Sequence, residues 1–511
     1  MHRAFCSLRS PVALAAMTLL TLGCAVGPDF EHPPSPDAKS YEEGALPEQT
    51  SSADTPGGDA QKFIADKTIP AAWWNLFRSE ELNKLIDEAI KANPDLQSAE
   101  ASLRETQEDV YAGEGALLPE VSGNFGATRE RLTGAEFGEN SQSIFTLYNT
   151  SVTVSYGLDI FGGARREIES LVAQKDYQHY QVEAAYISLS ANVVTTAIRE
   201  ASLRAQMTAT QDIIDNEKKQ LDLLSQQFEL GGISKVGVLA QAATLAQTEA
   251  TLPPLENQLA QTRHQLSVLA GKLPNEDLGV TFDLTKLQLP IEVPLTLPSK
   301  LTEQRPDVRA AEEQLHVASA QIGVATANML PQFTISGNLG SNANALNQLF
   351  SPGTGIWSIG GNLVQPIFQG GELYHKRKAA QADFDRARAQ YRSTVLVAFQ
   401  NVADTLHALL SDADTLKADL ASEQAAQDSL TLAQDQYKEG GVSYLSLLTA
   451  EQTYQQTKIA LIKAEASRFA DTAALFQALG GGWWNRMESH DSDTTNALDS
   501  ISTIFQNGDK E

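Results

Sequence analysis

The chain has 511 residues, 42% of them hydrophobic and 20% charged, with a formal net charge of −26 at pH 7. That length holds several domains or one elongated body. The acidic balance excludes a nucleic-acid partner, because a phosphate backbone needs a basic surface.

Arg3 and Arg9 precede an apolar run from Val12 to Leu22, too short to span a bilayer, which ends at Gly23-Cys24. The stretch resembles a bacterial lipoprotein signal with its lipobox, with Thr21 standing where that motif usually has Leu. An ordinary secretory signal with an incidental cysteine is the alternative. The resemblance implies a signal peptide over 1–23 and an acylated Cys24. Cleavage then removes Cys6, leaving no free thiol, no disulfide and no cysteine metal site in the mature chain. It also removes two arginines, so the net charge becomes 36 − 64 = −28. Ala25 directly after the cysteine points, by the same resemblance, to the outer membrane. Residues 24–78 are rich in Pro, Ser, Asp, Glu and Gly and read as a lipid-anchored extended segment with little core to bury. Trp73-Trp74 within it reads as a packing anchor.

Helical spacing over 79–117, broken at Asn93-Pro94, gives way after Leu118-Pro119 to a period of two. Over 118–162, Val121, Gly123 and Phe125 alternate with Ser122 and Asn124, and Val152 and Val154 with Ser151, Thr153 and Ser155. An apolar face opposite a small polar one suits a strand between lipid and water, or a soluble hairpin with one side on a core. From Ala164 to Leu230 there is no Gly or Pro, so a helix some 67 residues long is expected, about 100 Å at 1.5 Å per residue. It stops at Gly231-Gly232, a helix C-cap signal, and a helical pattern resumes with a kink expected at Pro253-Pro254. This is a long helical hairpin over 163–272, its tip near 228–239.

The chain then repeats itself. After a Pro-rich connector, 273–300, Arg305-Pro306-Asp307 answers Asn93-Pro94-Asp95 and Leu330-Pro331 answers Leu118-Pro119. Helices over 301–330 lead to alternating segments over 331–369, with Phe333, Ile335 and Leu339 and then Trp357, Ile359 and Leu363. A second long hairpin, 370–482, turns at Gly440-Gly441 with its tip near 437–449, and a polar tail follows over 483–511. The fold class is mixed α and β with an internal duplication.

Four amphipathic strands cannot close a barrel, and an open sheet edge is not tolerated in lipid, so copies must pool their strands. The lipobox with Cys24-Ala-Val-Gly-Pro-Asp-Phe, the duplicated Pro94-Asp95 and Pro306-Asp307, and the two Gly-containing tips together resemble the outer-membrane efflux lipoproteins, the NodT and OprM branch of the TolC family. The resemblance covers essentially the whole chain after the signal. It implies a homotrimer: a twelve-stranded barrel in outer-membrane lipid of a Gram-negative bacterium, four strands per chain, continuous with a periplasmic α-helical barrel. It also implies a periplasmic adaptor of the membrane-fusion type at the tips and an inner-membrane pump of the RND type. The function implied is a passive channel of a tripartite efflux system exporting small toxic compounds or drugs; the alternatives are a lipid-anchored coiled-coil scaffold or adaptor, and the exit duct of a type I protein secretion system.

By that resemblance the tips are gate and adaptor contact. Gly231, Gly232, Gly440 and Gly441 let helix ends approach, and Val236, Val238, Leu239, Leu445, Leu447 and Leu448 are the apolar residues that could seal a constriction. Relatives carry acids in the second tip where this chain has Ser446 and Thr449; Glu451, two residues on, could supply a carboxylate ring or be an ordinary solvated residue. The chain has no phosphate-binding Gly loop, no His-Glu-x-x-His and no Gly-x-Ser-x-Gly, and its eight histidines lack ligand spacing, so neither catalysis, cofactor nor metal is expected.

Overall fold

A computed structural model describes residues 25–42, 44, 46–133 and 142–486. The expected signal peptide, Cys24 and the expected tail beyond Arg486 lie outside the described residues.

Helix α1 (Glu80–Ala92) starts on the Ser79 hydroxyl, which accepts from Leu82 N at 3.2 Å. It stops at Asn93, whose side-chain oxygen accepts from Asp95 N and Leu96 N at 2.9 and 3.1 Å and so opens α2 (Pro94–Gly115). Proline at a first helical position gives up an N–H that has no partner there anyway. The 67-residue α3 (Gly163–Glu229) and the 15-residue α4 (Lys235–Glu249) flank the first tip, and α5 (Leu252–Leu269) follows. The second half runs α6 (Pro298–Gln304), α7 (Pro306–Ala327), α8 (Glu372–Lys438) and α9 (Tyr444–Ala478). The kink expected at Pro253-Pro254 is instead a break: α4 ends at Glu249, and the prolines fall in the first turn of α5, where missing N–H groups cost nothing.

Strands β2 (Glu120–Thr133), β3 (Gln142–Leu158), β5 (Gln332–Ala343) and β6 (Gly355–Val364) form one antiparallel sheet in the order β2-β3-β5-β6. Its register aligns the alternation across all four strands. Val121 pairs with Val154, Val152 with Leu339 and Leu339 with Trp357, so one face is apolar from edge to edge and open to its surroundings. On the other face Asn124 pairs with Ser151, Thr153 with Asn338 and Asn338 with Ser358. The Asn338 amide donates to the Thr153 hydroxyl at 2.9 Å. Strand passes to helix at Gly162, held at φ +77°, where the Asp159 carboxylate accepts from Ala164 N and Arg165 N at 3.1 and 3.0 Å. That carboxylate both caps α3 and complements its dipole.

The core lies where α1, α3 and α9 meet, around Trp73, Phe77, Phe469 and Phe476. Trp73 is fully buried, stacked on Phe476 with ring centroids 5.3 Å apart. The expectation of little core in 24–78 is therefore corrected. Ile69, Trp73, Trp74 and Phe77 are all buried, and β1 (Lys62–Ala65) pairs in parallel with β4 (Glu292–Leu295) from the connector.

Residues 25–32 form a strap along α3 and α7. Val26 N donates to Phe161 O at 3.0 Å, and the Arg166 guanidinium donates to Val26 O at 3.2 Å and to Asp29 at 2.6 Å. Phe30 stacks on the His316 ring, centroids 4.3 Å apart. Hydrogen bonding to Glu313, with Glu169 adding to it and burial opposing, raises the His316 pKa above the usual histidine value. A histidine raised in the folded state contributes stability that is fully present below its unfolded pKa and is lost as pH rises through the folded one. Cleavage of the strap at Phe30 by chymotrypsin is thus expected to speed up as pH rises above the usual histidine value, after correction for the protease's own pH profile. His316→Phe, which keeps the stack and removes the charge, should flatten that dependence; an unchanged slope would show the histidine does not hold the strap.

Candidate functional site

Both tips are built by the same backbone device. Gly231 and Gly440 take φ of +77° and +76°, conformations that a side chain would strain. Gly231 N donates to Phe228 O at 2.9 Å and Gly232 N to Gln227 O at 2.7 Å. Gly440 N likewise donates to Tyr437 O at 3.1 Å and Gly441 N to Gln436 O at 2.8 Å. This pairing consumes the orphan carbonyls of each descending helix within the turn. The ascending helices start at Ser234 and Ser443, and the Ser443 hydroxyl accepts from Ser446 N at 3.2 Å.

The apolar tip residues divide into two sets. Val236, Leu239 and Leu445 are 75%, 58% and 68% exposed in the protomer and form an open apolar rim. Val238 is half-buried, and Leu447 and Leu448 are buried inside the chain. A rim of this kind can meet a partner or another copy; Leu447 and Leu448 hold the hairpin together. Ser446 and Thr449 are occupied locally, Ser446 with the Ser443 hydroxyl at 2.9 Å and Thr449 with the Leu445 carbonyl at 2.9 Å.

Two tyrosines of the second hairpin reach the first. The Tyr437 hydroxyl donates to the Gln227 amide oxygen at 3.5 Å, and the Tyr444 hydroxyl donates to the Gln241 amide oxygen. Their rings meet edge to face with centroids 5.7 Å apart. Pairs of this geometry add about 0.5–1.5 kcal/mol beyond their buried area. Further from the tip Glu451 is half-buried between the hairpins, with its Oε2 closed off from solvent. Burial, reinforced by the facing Glu217, pushes its carboxyl up to about 7, and burial raises that of Glu217 as well. Glu217 accepts from the Thr248 hydroxyl at 3.0 Å and from the Gln455 amide. Sequence reading missed Glu217, Gln227 and Gln241. Glu217 sits in the charged run Asp212–Lys219, which carries no sign of burial, whereas Tyr437 and Tyr444 flanking the Gly pair were a usable signal.

Among the described residues no group of three or more His, Cys, Asp or Glu is gathered to hold a metal ion, and no helix is long and apolar enough to cross a membrane.

The family model described as outer membrane efflux protein matches residues 85–272 and 297–481. The pyoverdine export outer membrane protein OpmQ of Pseudomonas putida is 30% identical over 419 residues, covering 80% of this chain and 88% of that protein. The probable efflux pump outer membrane protein TtgC, also of Pseudomonas putida, is 28% identical over 479 residues, covering 94% and 96%. Among solved structures, the outer-membrane channel OprN superposes with a TM-score of 0.80 at 26% identity, over 90% of this chain and 100% of that one.

Proposed function

Because the chain belongs to the outer membrane efflux protein family, we propose that it is the outer-membrane channel of a tripartite efflux pump, working as a homotrimer. The sheet carries this reading. Its apolar face is continuous, its two edges are β2 and β6, and the strand directions alternate, so β6 of one copy meets β2 of the next antiparallel. Lipid does not tolerate the unpaired edges, and joining three copies leaves none. Twelve strands then form the wall, apolar outside and polar inside, and α3, α4, α5, α8 and α9 continue it as a periplasmic helical tube.

The strap supports acylation of Cys24. Ala25, the next residue, packs against Gly162 where β3 passes into α3, and Val26 is hydrogen-bonded to Phe161. An acyl chain on Cys24 would enter the inner leaflet beside the foot of the barrel. At the far end, the rim of Val236, Leu239 and Leu445 serves as gate and as contact for a periplasmic adaptor, with an inner-membrane pump supplying the energy. OpmQ is named for export of pyoverdine, which supports small organic cargo.

Single-channel recording of the detergent-purified trimer in planar bilayers tests the reading. Wild type should give cation-selective openings, and Leu445→Ser should make them more frequent or larger, because an apolar constriction gates by excluding water. A folded trimer that conducts in neither form would overturn the channel and favour a lipid-anchored scaffold.

A further inference from the structure

Glu217 on α3 and Glu451 on α9 line one cavity of about 450 Å³ between the two hairpins. Glu217 is only 3% exposed. One oxygen of Glu217 is satisfied by Thr248 and Gln455, but its Oε2, like Oε2 of Glu451, is buried with no hydrogen-bond partner. Leaving such an acceptor unpaired costs about 1–3 kcal/mol, more when it is charged. Lys219 also lines the cavity, yet no ion pair joins it to either carboxylate. The remaining wall is mixed, with Ile213, Leu223, Leu430 and Tyr454 beside the amides of Asn216, Gln220, Gln434 and Gln455.

These features select a ligand class. Two carboxylates reject an anion, and a neutral donor could hydrogen-bond them but would leave their charge uncompensated. A metal ion finds only two acids here, without a third His, Cys, Asp or Glu to complete a site. The volume falls in the range of small-molecule pockets, roughly 300–1,000 Å³, and the apolar walls and phenol ring offer a hydrocarbon body contacts that a hydrated metal ion cannot use.

We propose that this cleft binds a hydrophobic organic cation, an amine or quaternary ammonium whose charge sits between Glu217 and Glu451 while its apolar part lies against Leu223, Leu430 and Tyr454. That such a cation is cargo rests on the channel reading; that it binds does not.

The test is an ethidium titration of the full-length trimer in detergent at pH 8, followed by fluorescence anisotropy, with neutral N-phenylnaphthylamine reporting micelle uptake. Glu217→Gln and Glu451→Gln should each weaken ethidium binding about tenfold, the change that 1.4 kcal/mol produces. Both replacements are near-isosteric and remove like-charge repulsion, so the fold is retained. Leu430→Trp, which fills the cavity and keeps both acids, should also abolish binding. Equal affinity in wild type and the double Gln variant would overturn the proposal. So would tight Mg²⁺ binding that excludes ethidium and depends on both acids, which would assign the cleft to a metal ion. Bilayer recording of wild type separates the two failures: channels with acid-independent ethidium binding sink this inference alone, and acid-dependent binding without channels sinks the channel reading alone.

Discussion

Leu339→Arg is expected to keep the trimer out of the outer membrane. Leu339 is 69% exposed and lies in register between Val152 and Trp357, within the apolar band. An arginine on a barrel's lipid face near mid-depth costs about 2–4 kcal/mol, and the penalty is incurred once per copy. The proposed trimer should vanish from the outer-membrane fraction. Asn338→Arg, one residue away, is the paired control. Asn338 faces Thr153 and Ser358, so its arginine would extend into water, leave assembly intact and reduce selectivity for cations. Assembly of Leu339→Arg together with failure of Asn338→Arg would reverse the assignment of the two faces.

The second large effect is expected at Arg468. This guanidinium is completely buried and donates to the carbonyls of Leu409, Gly57 and Asp59 at 2.9, 3.4 and 3.2 Å and to the Thr50 hydroxyl at 3.3 Å. It ties the N-terminal segment to α8 and α9 through peptide oxygens, with no carboxylate hydrogen-bonded to it. Asp412 and Asp471 lie close enough to favour its charge, while burial holds its pKa below the usual arginine value. The same surroundings push Asp412 up to about 7, through burial and then through the Asp471 carboxyl beside it. Arg468→Ala would strip the Arg donor from the carbonyls of Leu409, Gly57 and Asp59 and from the Thr50 hydroxyl, open a cavity and remove the charge that tempers Asp412. Removing one member of a buried charged network costs about 3–5 kcal/mol. Because most of these acceptors lie in 50–59, limited proteolysis should cut that segment rapidly at a temperature where helical circular dichroism is unchanged. Wild-type resistance in the variant would show that Gln61, bonded to Pro290 and Thr472, holds the segment without help.

The long hairpins were readable because a Gly pair after some 67 residues without Gly or Pro admits few conformations, and both pairs form the same cap. The four strands of the larger sheet were readable from their period of two, although β3 begins at Gln142, ahead of the clearest alternation. Asn93-Pro94 was readable as a helix break because the Asn side chain can cap what the proline starts. The β1–β4 pair was not. Each strand is four residues long, lies in a Pro-rich stretch, and finds a partner about 230 residues away, so no local pattern announces it. At the tips, composition marked the apolar residues but not their directions. Leu445 stands open while Leu448, three residues on in the same helix, is buried, a difference set by the neighbouring hairpin rather than by spacing. Glu451 was readable as a nearby acid; its burial against Glu217 depends on how two distant helices are rotated.

The two hairpins differ in how they carry force. α9 rises from its tip as 35 unbroken residues, a rod of about 52 Å. The matching arm of the first hairpin is interrupted at Ala250-Thr251, and Pro253 and Pro254 cannot donate back to the carbonyls of Glu249 and Ala250. A push on the second tip therefore travels along a stiff lever to the core around Phe469 and Phe476. A push on the first reaches the body through α3 alone, because its other arm is jointed only 15 residues above the turn. The duplicated halves are thus mechanically unequal: the second tip is carried by two unbroken helices and the first by one.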